Sequence, residues 1–317
     1  MTTPLPRLAG VGSYLPARTL SNAELERMVD TSDQWILERT GISTRHIAAD
    51  DESVATMATA AGAKALAASG VDATDIDLVL SATCSMPFAV PGAAATIADA
   101  LGIAAPGACD VNAGCASFTY ALSWAADAIR AGSARRVLVT GAEKISPFID
   151  YTDRSTCIIF GDGAGAAVVT ADERGGIGPV VWGSDGAQAA AIQAVRRDTG
   201  EHFLEMDGMT VFRWATSQMV DVARRACAAA GVTTDELAAF VPHQANLRIV
   251  DSLARSLRID DDLVSRNVVD TGNTSAASVP LGLDRMLQEG RVTSGEPILL
   301  IGFGAGLTYA AQVVNAP

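Results

Sequence analysis

Basic residues are scarce in this chain of 317 residues: it has 23 Lys and Arg against 36 Asp and Glu, which gives a formal net charge of −13 at pH 7. Nucleic acids and anionic membranes are bound through broad basic surfaces. The composition therefore argues against either one as the main partner, and any acidic partner would need a local basic patch.

Histidine and paired cysteine motifs are also rare. The chain has three histidines, and its five cysteines form no C-x-x-C pair. An odd number of cysteines without that spacing favours neither a disulfide framework nor a zinc site. We predict free thiols, no metal and a reducing, cytoplasmic location. The first residues lack a basic segment followed by an apolar core, so we expect no signal peptide.

A hydrophobic run long enough to cross a membrane is missing as well. The longest apolar stretch, residues 297–314, is divided by the sequence GFGAG into two strand-length pieces, which predicts a hairpin of buried strands. Hydrophobic residues make up 49% of the chain and charged residues 19%. A chain of this length can bury about three quarters of its unfolded surface in roughly two domains.

Strand and helix patterns alternate along the chain, which is typical of an α/β protein. The predicted strands are residues 76–83, 135–141 and 157–172, and the predicted helices are 53–68 and a helix that follows Cys115 and continues until Gly132. Residues 29–47 are expected to form a short helix and a surface loop. From residue 173 to about 203 the composition becomes irregular, which marks a candidate boundary.

The second half of the sequence repeats the first at an offset of 161 residues. Three matching pairs are Gly70 and Gly231, Asn112 and Asn273, and Gly141 and Gly302. Because the register holds across strand, helix and strand, an internal duplication is the better interpretation. We predict two halves, residues 1–172 and 173–317, with a pocket where their equivalent loops converge.

Cys115 follows a short apolar strand and opens a helical pattern. A helix N-terminus stabilises a thiolate by about 0.3 to 1 kcal/mol at exposed sites and up to about 2 kcal/mol when partly buried. The pKa of this thiol, about 8.5 in a free cysteine, is therefore expected to move toward neutrality. The alternative on this stretch alone is a small buried residue, which most free cysteines are.

Two further polar residues lie at equivalent strand ends. His243 follows a buried strand in VPHQANLR, and Asn273 stands at the start of a helix in DTGNTSAAS. Either residue alone is more often structural, but with Cys115 they predict a site. The loop GFGAG supplies backbone N–H groups of the kind an oxyanion hole needs. A dinucleotide site at GFGAG or GDGAGA is excluded because a strand pattern, not a helix, follows each.

As a set, these motifs resemble those of the β-ketoacyl-[acyl-carrier-protein] synthases III, the initiating ketosynthases of the thiolase fold, over essentially the whole chain. The matching sequences are VDTSDQWILERTGI, DVNAGCASFTYAL, TDRSTCIIFGDGAGAAV, VPHQANLRI, GNTSAASVP and GFGAGLTYA. The resemblance implies a homodimer of five-layered αβαβα subunits. It also implies a ping-pong Claisen condensation of an acyl-CoA primer with malonyl-acyl carrier protein, without a cofactor, in fatty acid biosynthesis.

The resemblance implies a role for each site residue. Cys115 would take the acyl group, and His243 and Asn273 would donate hydrogen bonds to the malonyl thioester oxygen as CO2 leaves. The backbone N–H groups of Cys115 and Ala305 would hold the tetrahedral oxyanion, and Phe212 would line the malonyl pocket. Neutral imidazole and amide groups stabilise developing charge without competing as nucleophiles.

Other positions match the family's substrate-binding sites. The residues that would hold coenzyme A are Trp35, Arg39, Thr40 and Arg154 at the nucleotide and Gly208, Ala245 and Asn246 along the pantetheine arm. The residues expected to bind the acidic carrier protein are Arg213, Arg248 and Arg255. Val90 matches a side chain that reaches into the partner's acyl pocket, where Phe leaves room for little beyond acetyl. We therefore predict larger primers.

A few residues depart from the family pattern. They are Ser117 in place of Gly, Met209 in place of Asn, Tyr309 in place of Trp, and Val90 where some members have Phe. Ser117 and Met209 bear on the acyl and pantetheine geometry. The Ala- and Gln-rich stretch 187–195 bears on the tunnel mouth.

Specific residues argue against several other functions. A degradative thiolase needs a second cysteine near GFGAG, and none occurs after Cys227. A papain-like hydrolase needs its nucleophile near the start of the mature chain, and a silent acyl-binding module does not need three polar groups. Two alternatives stay open: a priming ketosynthase of a polyketide pathway, and an acyltransferase that passes the acyl group to a hydroxyl or amine.

Overall fold

The computed structural model describes residues 4–198 and 200–317. Its strands are β1 Leu5–Tyr14, β2 Arg18–Ser21, β3 Thr44–Ile47, β4 Leu78–Ala82, β5 Gly107–Val111, β6 Arg136–Glu143, β7 Gly163–Asp172, β8 Val181–Gly183, β9 Ile192–Arg196, β10 His202–Met206, β11 Ala239–Pro242, β12 Pro297–Gly304 and β13 Thr308–Asn315. Its helices are α1 Asn22–Leu25, α2 Asp33–Thr40, α3 Val54–Ser69, α4 Ala93–Ala100, α5 Ser117–Ala131, α6 Gly208–Ala230, α7 Leu247–Leu257, α8 Val268–Thr271 and α9 Ser278–Gln288.

Two sheets organise these elements. The first has the order β1-β7-β6-β4-β5, with β4 parallel to β5 and β6 and with β7 antiparallel to its neighbours. The second has the order β11-β12-β13-β8, with only the β11–β12 pair parallel. Strand β5 is the last strand of the first sheet, and among the described residues no strand pairs with its other edge.

Helices α5 and α9 form a layer between the two sheets. Buried side chains of α5, such as Leu122, and of α9, such as Leu283, pack with Val139 of the first sheet and Leu300 of the second. Helices α3 and α4 cover the outer face of the first sheet, and α6 and α7 cover that of the second. Burying each Leu or Val contributes roughly 1.5 to 3 kcal/mol. The layers are therefore αβαβα, which confirms the predicted fold class.

Most of the predicted elements are present. The helix after Cys115 is α5, and it ends at Gly132, which has a left-handed φ of 77°. The apolar stretch at 297–314 forms the antiparallel hairpin of β12 and β13, as predicted. In residues 4–198 and 200–317, every helix is too short or too polar to cross a membrane.

Three predictions need correction. The strand expected at 157–172 begins only at Gly163, because residues 157–162 turn sharply past the segment that carries Asn273. A side chain at Gly161 would lie 2.4 Å from the carbonyl oxygen of Thr271. Residues 29–47 contain a helix and a strand, α2 and β3, and the segment expected to be irregular contains the hairpin of β9 and β10.

Equivalent elements of the two halves keep the 161-residue offset. Helix α5 begins at Ser117 and α9 at Ser278, while β6 spans 136–143 and β12 spans 297–304. Strand β7 of the first sheet ends at residue 172, and β8 of the second begins at 181. The division of the chain into halves at residue 172 stays a prediction.

Candidate active site

A cavity of about 170 Å³ lies where the two sheets and the loops that follow their strands meet. The predicted site residues that line it are Cys115, Phe212, Gly208, His243, Ala245, Asn246, Asn273 and Ala305. Apolar side chains form much of its wall, including Ile192, Leu204 and Met206 of the β9–β10 hairpin. The stretch 187–195 therefore does contribute to the tunnel, through Ile192.

The Cys115 loop is braced by its own polar groups. The Asn112 side-chain oxygen accepts the Gly114 N–H at 3.2 Å, and Gly114 has a left-handed φ of 55°. The Ser117 hydroxyl accepts the Ala113 N–H at 2.7 Å and donates to the Gly114 carbonyl at 2.6 Å. Ser117, one of the departures from the family pattern, therefore holds the loop that presents the thiol.

The Cys115 thiol is less acidic than its place in the sequence predicts. Cys115 lies two residues before the first residue of α5, near a helix N-terminus as expected. Burial nevertheless raises the pKa of Cys115 to about 12, and a hydrogen bond with the Ser275 hydroxyl only partly opposes it. The prediction of a pKa near neutrality was wrong, because desolvation outweighs the helix.

Gly304 makes room for the thiol at the end of β12. A Cβ atom on Gly304 would lie 3.0 Å from Cys115 Sγ and 2.8 Å from its Cβ, closer than packed side chains approach. Ala305 follows directly and begins a single 3-10 turn, Ala305–Leu307. The Cβ of a substituted Gly114 would lie 3.1 Å from the Ala305 nitrogen. The two backbone N–H groups predicted to form an oxyanion hole thus belong to adjoining loops.

His243 follows β11 and is almost completely buried. Its Nδ1 lies 2.7 Å from the Ser278 hydroxyl, and its ring meets the Phe303 ring edge-on at a centroid distance of 5.1 Å. Burial lowers the pKa of His243 to about 3. The imidazole is therefore neutral at pH 7, the state in which it can donate one hydrogen bond into the pocket.

Asn273 is fixed by backbone hydrogen bonds on both sides. Its N–H donates to Ile159 at 2.9 Å, and its carbonyl accepts from Gly161 at 3.0 Å. The side-chain oxygen accepts the Ser275 N–H at 2.8 Å. The amide nitrogen is consequently the group left to face the pocket, as a hydrogen-bond donor.

A polar cluster that was not predicted from the sequence lies near the thiol, centred on Glu143 at the end of β6. Its carboxyl is fully buried and contacts the hydroxyls of Thr83, Ser85 and Ser275. Cys84, which also lines the cavity, approaches Glu143 through its N–H and its thiol, each at 3.2 Å. A glutamate directly after a run of buried strand residues was the signal for this cluster.

Trp35 stands near the mouth of the cavity between two arginines. The guanidinium of Arg39 lies 5.6 Å from the centroid of the indole ring and that of Arg154 lies 5.1 Å from it. Arg154 also donates to the Asp30 carbonyl at 3.0 Å. Such contacts contribute about 0.5 to 1 kcal/mol each when exposed, so the three side chains form a loosely held aromatic and cationic group.

Thr40 differs from its neighbours at the mouth. It is buried, and its hydroxyl donates to the Ile36 carbonyl at 2.7 Å and accepts the Ile42 N–H at 3.0 Å. The structure therefore gives Thr40 a role in ending α2 and does not bring its hydroxyl to the cavity. Asn246, by contrast, lines the cavity and donates to the Arg39 carbonyl at 3.1 Å.

The predicted carrier-protein residues do not form one group. Arg213 and Arg248 are exposed, and the Arg248 guanidinium lies 5.4 Å from the ring centroid of Phe212 in the cavity wall. Arg255 lines a separate depression beside Asp251 and Asp261. Both carboxylates pair with Arg266, at 2.9 Å and 2.6 Å, so Arg255 lies in a depression of mixed charge, separate from the other two arginines.

Val90 is absent from the cavity of the single chain. Its side chain is 82% exposed, and Phe88 beside it is 75% exposed. Met209, which replaces a pantetheine contact of the family, is 65% exposed at the start of α6. Tyr309, the remaining departure, packs near Trp214 at a centroid distance of 6.5 Å.

Known proteins match this chain over nearly its whole length. The family model of 3-Oxoacyl-[acyl-carrier-protein (ACP)] synthase III matches residues 109–186, and the model of its C-terminal part matches 227–316. The chain is 49% identical to β-ketoacyl-[acyl-carrier-protein] synthase III 2 of Streptomyces avermitilis, over 98% of this chain and 99% of that protein. It is 50% identical to a mycobacterial synthase III of Mycobacterium avium, over 98% and 95%.

Solved structures agree with the sequence matches. The priming β-ketosynthase from the R1128 polyketide biosynthetic pathway has a TM-score of 0.97 and 46% identity, covering 99% of this chain and 97% of that one. The synthase III of Aquifex aeolicus has a TM-score of 0.93 and 39% identity, covering 98% and 99%. Fold and site thus define a condensing acyltransferase of the thiolase fold. Within that class, the chain belongs to the β-ketoacyl-[acyl-carrier-protein] synthase III family.

Proposed function

We propose that this protein condenses an acyl-CoA primer with malonyl-acyl carrier protein, giving β-ketoacyl-acyl carrier protein and CO2 as the initiating step of fatty acid biosynthesis. The observation that carries the proposal is the convergence of a thiol, a neutral imidazole and an amide donor on one cavity. Relatives about half identical over nearly the whole chain bear the name of this activity. No cofactor or metal has a part in the proposed steps.

The first half-reaction loads the primer. The Cys115 sulfur attacks the thioester carbon of acyl-CoA, and the tetrahedral oxyanion is held by the backbone N–H groups of Cys115 and Ala305. Coenzyme A then leaves, and the acyl group stays on sulfur. The clearance at Gly304 leaves space for the tetrahedral centre beside the thiol.

The second half-reaction forms the new carbon–carbon bond. The Nε2 hydrogen of His243 and the amide of Asn273 donate to the malonyl thioester oxygen, which gains negative charge as CO2 leaves. Phe212 supplies an apolar wall against which the malonyl carboxylate loses water. The resulting enolate attacks the acyl carbon on Cys115, and the sulfur is expelled as a thiolate that regains a proton.

Coenzyme A enters from the mouth of the cavity. Stacking of adenine on Trp35 and charge from Arg39 and Arg154 would hold the nucleotide, in line with the cation–π contacts around this ring. Gly208, Ala245 and Asn246 would follow the pantetheine arm. A side chain on Gly208 would meet open space, so the wall there leaves room for an extended chain.

The proposed partners are an acyl carrier protein and a second copy of this chain, in the cytoplasm. Arg213 and Arg248 at the mouth suit an acidic carrier despite the net charge of −13, with a smaller part for Arg255. The unpaired edge of β5 and the exposed side chains of Phe88 and Val90 support a homodimer in which Val90 reaches the partner's acyl pocket.

A polyketide-priming role is the second candidate. One observation favours it: the priming β-ketosynthase of the R1128 pathway has a TM-score of 0.97 and 46% identity to this chain. The same chemistry would serve both roles, and the carrier protein that accepts the product would differ. Kinetics with carrier proteins of both pathways from one source organism separate the two.

The experiment that tests the proposal follows the two half-reactions in turn. Incubation with a panel of acyl-CoAs, followed by peptide mass spectrometry, should show the acyl mass on Cys115. Addition of malonyl-acyl carrier protein should then remove that mass and release CO2. An acyl group that instead moves to an added alcohol or amine, without CO2, would establish the acyltransferase alternative.

A further inference from the structure

Glu143 is a buried carboxyl at the end of β6 that the proposed function does not use. Its side chain is fully buried and does not line the cavity, so a substrate in the cavity would not touch it. Among the described residues, every hydrogen-bond donor to this carboxyl belongs to residues 83–85 or 275–276. The first segment follows β4, and the second follows Asn273. The carboxyl therefore joins the end of one sheet to the segment that carries the amide donor.

The contacts on the β4 side hold the carboxyl in place. The Thr83 hydroxyl accepts the Ser85 N–H at 3.3 Å, and the Ser85 hydroxyl accepts the Lys144 N–H at 2.9 Å. Each hydroxyl keeps its own hydrogen to donate to Glu143 Oε2, from 3.1 Å in the case of Thr83. The Cys84 N–H lies 3.2 Å from both carboxyl oxygens. Because all of these groups donate, Glu143 acts as an acceptor whose position is fixed from this side.

The other oxygen of Glu143 reaches the segment that carries Asn273. Glu143 Oε1 accepts the Ser275 hydroxyl at 3.0 Å and the Ala276 N–H at 3.4 Å. The Cys84 sulfur lies 3.2 Å from the same oxygen and 3.6 Å from the Ser275 hydroxyl. The Ser275 N–H in turn donates to the Asn273 side-chain oxygen at 2.8 Å. Ser275 therefore connects Glu143, through its hydroxyl, with the Asn273 amide, through its N–H.

The orientation of the Asn273 amide decides what it offers to the malonyl oxygen. Because the Ser275 N–H holds the amide oxygen, the NH2 group faces the cavity as a donor. A reversed amide would present its oxygen to an oxygen that gains negative charge as CO2 leaves, which would repel that charge instead of stabilising it. Displacement of the Ser275 N–H would therefore weaken the stabilisation of the enolate.

The backbone of Ser275 needs an anchor because its conformation is strained. Ser275 has a left-handed φ of 49°, a region that costs free energy for residues other than glycine. At the equivalent position, Gly114 has a φ of 55° and donates its N–H to Asn112. Glycine adopts this conformation without strain, and the strand end beside that loop is Gly304, which has no side chain. The first loop thus combines glycine with glycine, and the second combines serine with glutamate.

We propose that Glu143 is a positioning residue for Asn273: it anchors the Ser275 hydroxyl, holds the left-handed turn, and so keeps the Asn273 amide directed at the malonyl thioester oxygen. The proposal rests on the proposed condensation and adds no covalent step to it. The donors to Glu143 lie outside residues 112–117, the segment that presents the Cys115 thiol. Loss of the anchor should therefore impair condensation and leave acyl loading nearly unchanged.

Glu143→Gln is the first test, since it keeps the size of the side chain but replaces one acceptor oxygen with a donor. Among so many donors, the amide should hold Ser275 less firmly. We expect release of labelled CO2 from malonyl-acyl carrier protein to fall on the order of 10-fold or more, because small displacements of catalytic groups are costly. The acyl mass on Cys115 should form at nearly the unmodified rate. In a variant with unchanged circular dichroism, equal loss in both half-reactions, or no loss of CO2 release, would overturn the proposal.

Ser275→Ala and Ser275→Gly form a matched pair that also decides the matter if Glu143→Gln does not fold. Both remove the hydroxyl that binds Glu143, but only alanine keeps the cost of the left-handed φ. Ser275→Ala should lower CO2 release on the order of 10-fold. Ser275→Gly should recover most of that loss, since glycine holds the turn unaided, as Gly114 does. Equal rates in the two variants would contradict the anchoring role.

A double variant separates positioning from a general loss of structure. If Glu143 acts through Asn273, removal of the amide leaves nothing for Glu143 to position. Asn273→Ala combined with Glu143→Gln should therefore release CO2 no more slowly than Asn273→Ala alone, whereas the losses of independent residues would multiply. A multiplied loss would reduce Glu143 to a structural residue.

Failure of the positioning role and failure of the proposed function are distinguishable in the unmodified protein. If that protein gains no acyl mass at Cys115, or releases no CO2 from malonyl-acyl carrier protein, the proposed function is wrong. If it does both, and the Glu143→Gln and Ser275→Ala variants do so at the same rates, only the positioning role is wrong.

Discussion

The loops at residues 112–117 and 273–278 hold equivalent places in the two halves and share one backbone design. Asn112 accepts an N–H two residues onward at 3.2 Å, and Asn273 does the same at 2.8 Å. The third residue of each loop has a left-handed φ, 55° at Gly114 and 49° at Ser275. In both loops the next α-helix begins five residues after the asparagine.

The side chains on this shared backbone differ. At the offset of 161, Cys115 corresponds to Ala276, and Glu143 at the end of β6 corresponds to Gly304 at the end of β12. The first loop therefore carries the nucleophile, and the second carries the amide donor. Gly304 at the end of β12 leaves space beside the thiol, whereas Glu143 at the end of β6 places a buried carboxyl at the equivalent position. The two loops share one backbone conformation but serve different proposed half-reactions: the first serves loading and the second serves condensation.

The largest effect is expected from substituting Cys115 in the first loop. Cys115→Ala or Cys115→Ser should abolish acyl loading, because neither supplies a thiolate to attack the thioester. Peptide mass spectrometry after incubation with acyl-CoA measures this directly. Acyl mass that persists at another residue would show that the nucleophile lies elsewhere.

Substituting the hydrogen-bond donors of the condensation step, Asn273 in the second loop and His243 beside it, should affect the two half-reactions differently. Asn273→Ala or His243→Ala should still permit some loading but lower decarboxylation on the order of 10²-fold or more, as loss of an oxyanion donor does. Release of labelled CO2 from malonyl-acyl carrier protein is the measurement.

Asn112→Ala is the matched control for the second loop. It removes the same local hydrogen bond from the equivalent position, yet Asn112 is exposed and lies outside the cavity lining. We expect this variant to decarboxylate at close to the unmodified rate. Equal losses in the Asn112 and Asn273 variants would mean that both residues act only on loop structure.

The size of the acyl group that the enzyme prefers tests the loading half-reaction. Val90 is several carbon atoms smaller than Phe, and one methylene in an apolar pocket changes discrimination by roughly 1 to 3 kcal/mol. We expect a preference for branched or medium-length acyl groups over acetyl, and Val90→Phe should shift it toward acetyl-CoA. The measurement is kcat/KM for acetyl-CoA and for a branched four- or five-carbon acyl-CoA.

Ala89→Phe is the control for this prediction, since it adds the same bulk at the neighbouring exposed residue. A strong acetyl preference in the unmodified protein would contradict the interpretation of Val90. In that case Phe88 or Met86 would be the side chains to examine as the ones that fill the pocket.

The smallest effect is expected from changing the charge of Arg248 at the proposed carrier-protein site. Arg248→Glu should weaken the use of malonyl-acyl carrier protein several-fold and reduce its salt dependence, because it reverses an exposed charge beside the mouth. Acyl-CoA loading should stay nearly unchanged. Arg225→Glu makes the same charge change 17 residues after the start of α6, about 25 Å along the helix, and should alter neither. Equal loss in both half-reactions would remove Arg248 from the carrier site.

Sequence patterns predicted the elements because strand and helix periodicity are local features. The 161-residue offset, which can be read directly by comparing the two halves of the sequence, predicted that the three residues converge. The acidity of Cys115 was mispredicted because it depends on burial by residues from both halves. Thr40 was assigned to the substrate by motif, although its hydroxyl is used within its own helix end. The Glu143 cluster was missed because its members, Cys84 and Ser275 among them, are distant from Glu143 in sequence.

The unpaired edge of β5 has a consequence for dilute solutions. An open strand edge is a template for pairing with another chain, and in the proposed dimer each acyl pocket borrows Val90 from its neighbour. Subunit association is governed by mass action. As the protein is diluted below its dimer dissociation constant, the dissociated chains would each keep their thiol, imidazole and amide but lose one wall of the acyl pocket. Primer selectivity would then depend on protein concentration.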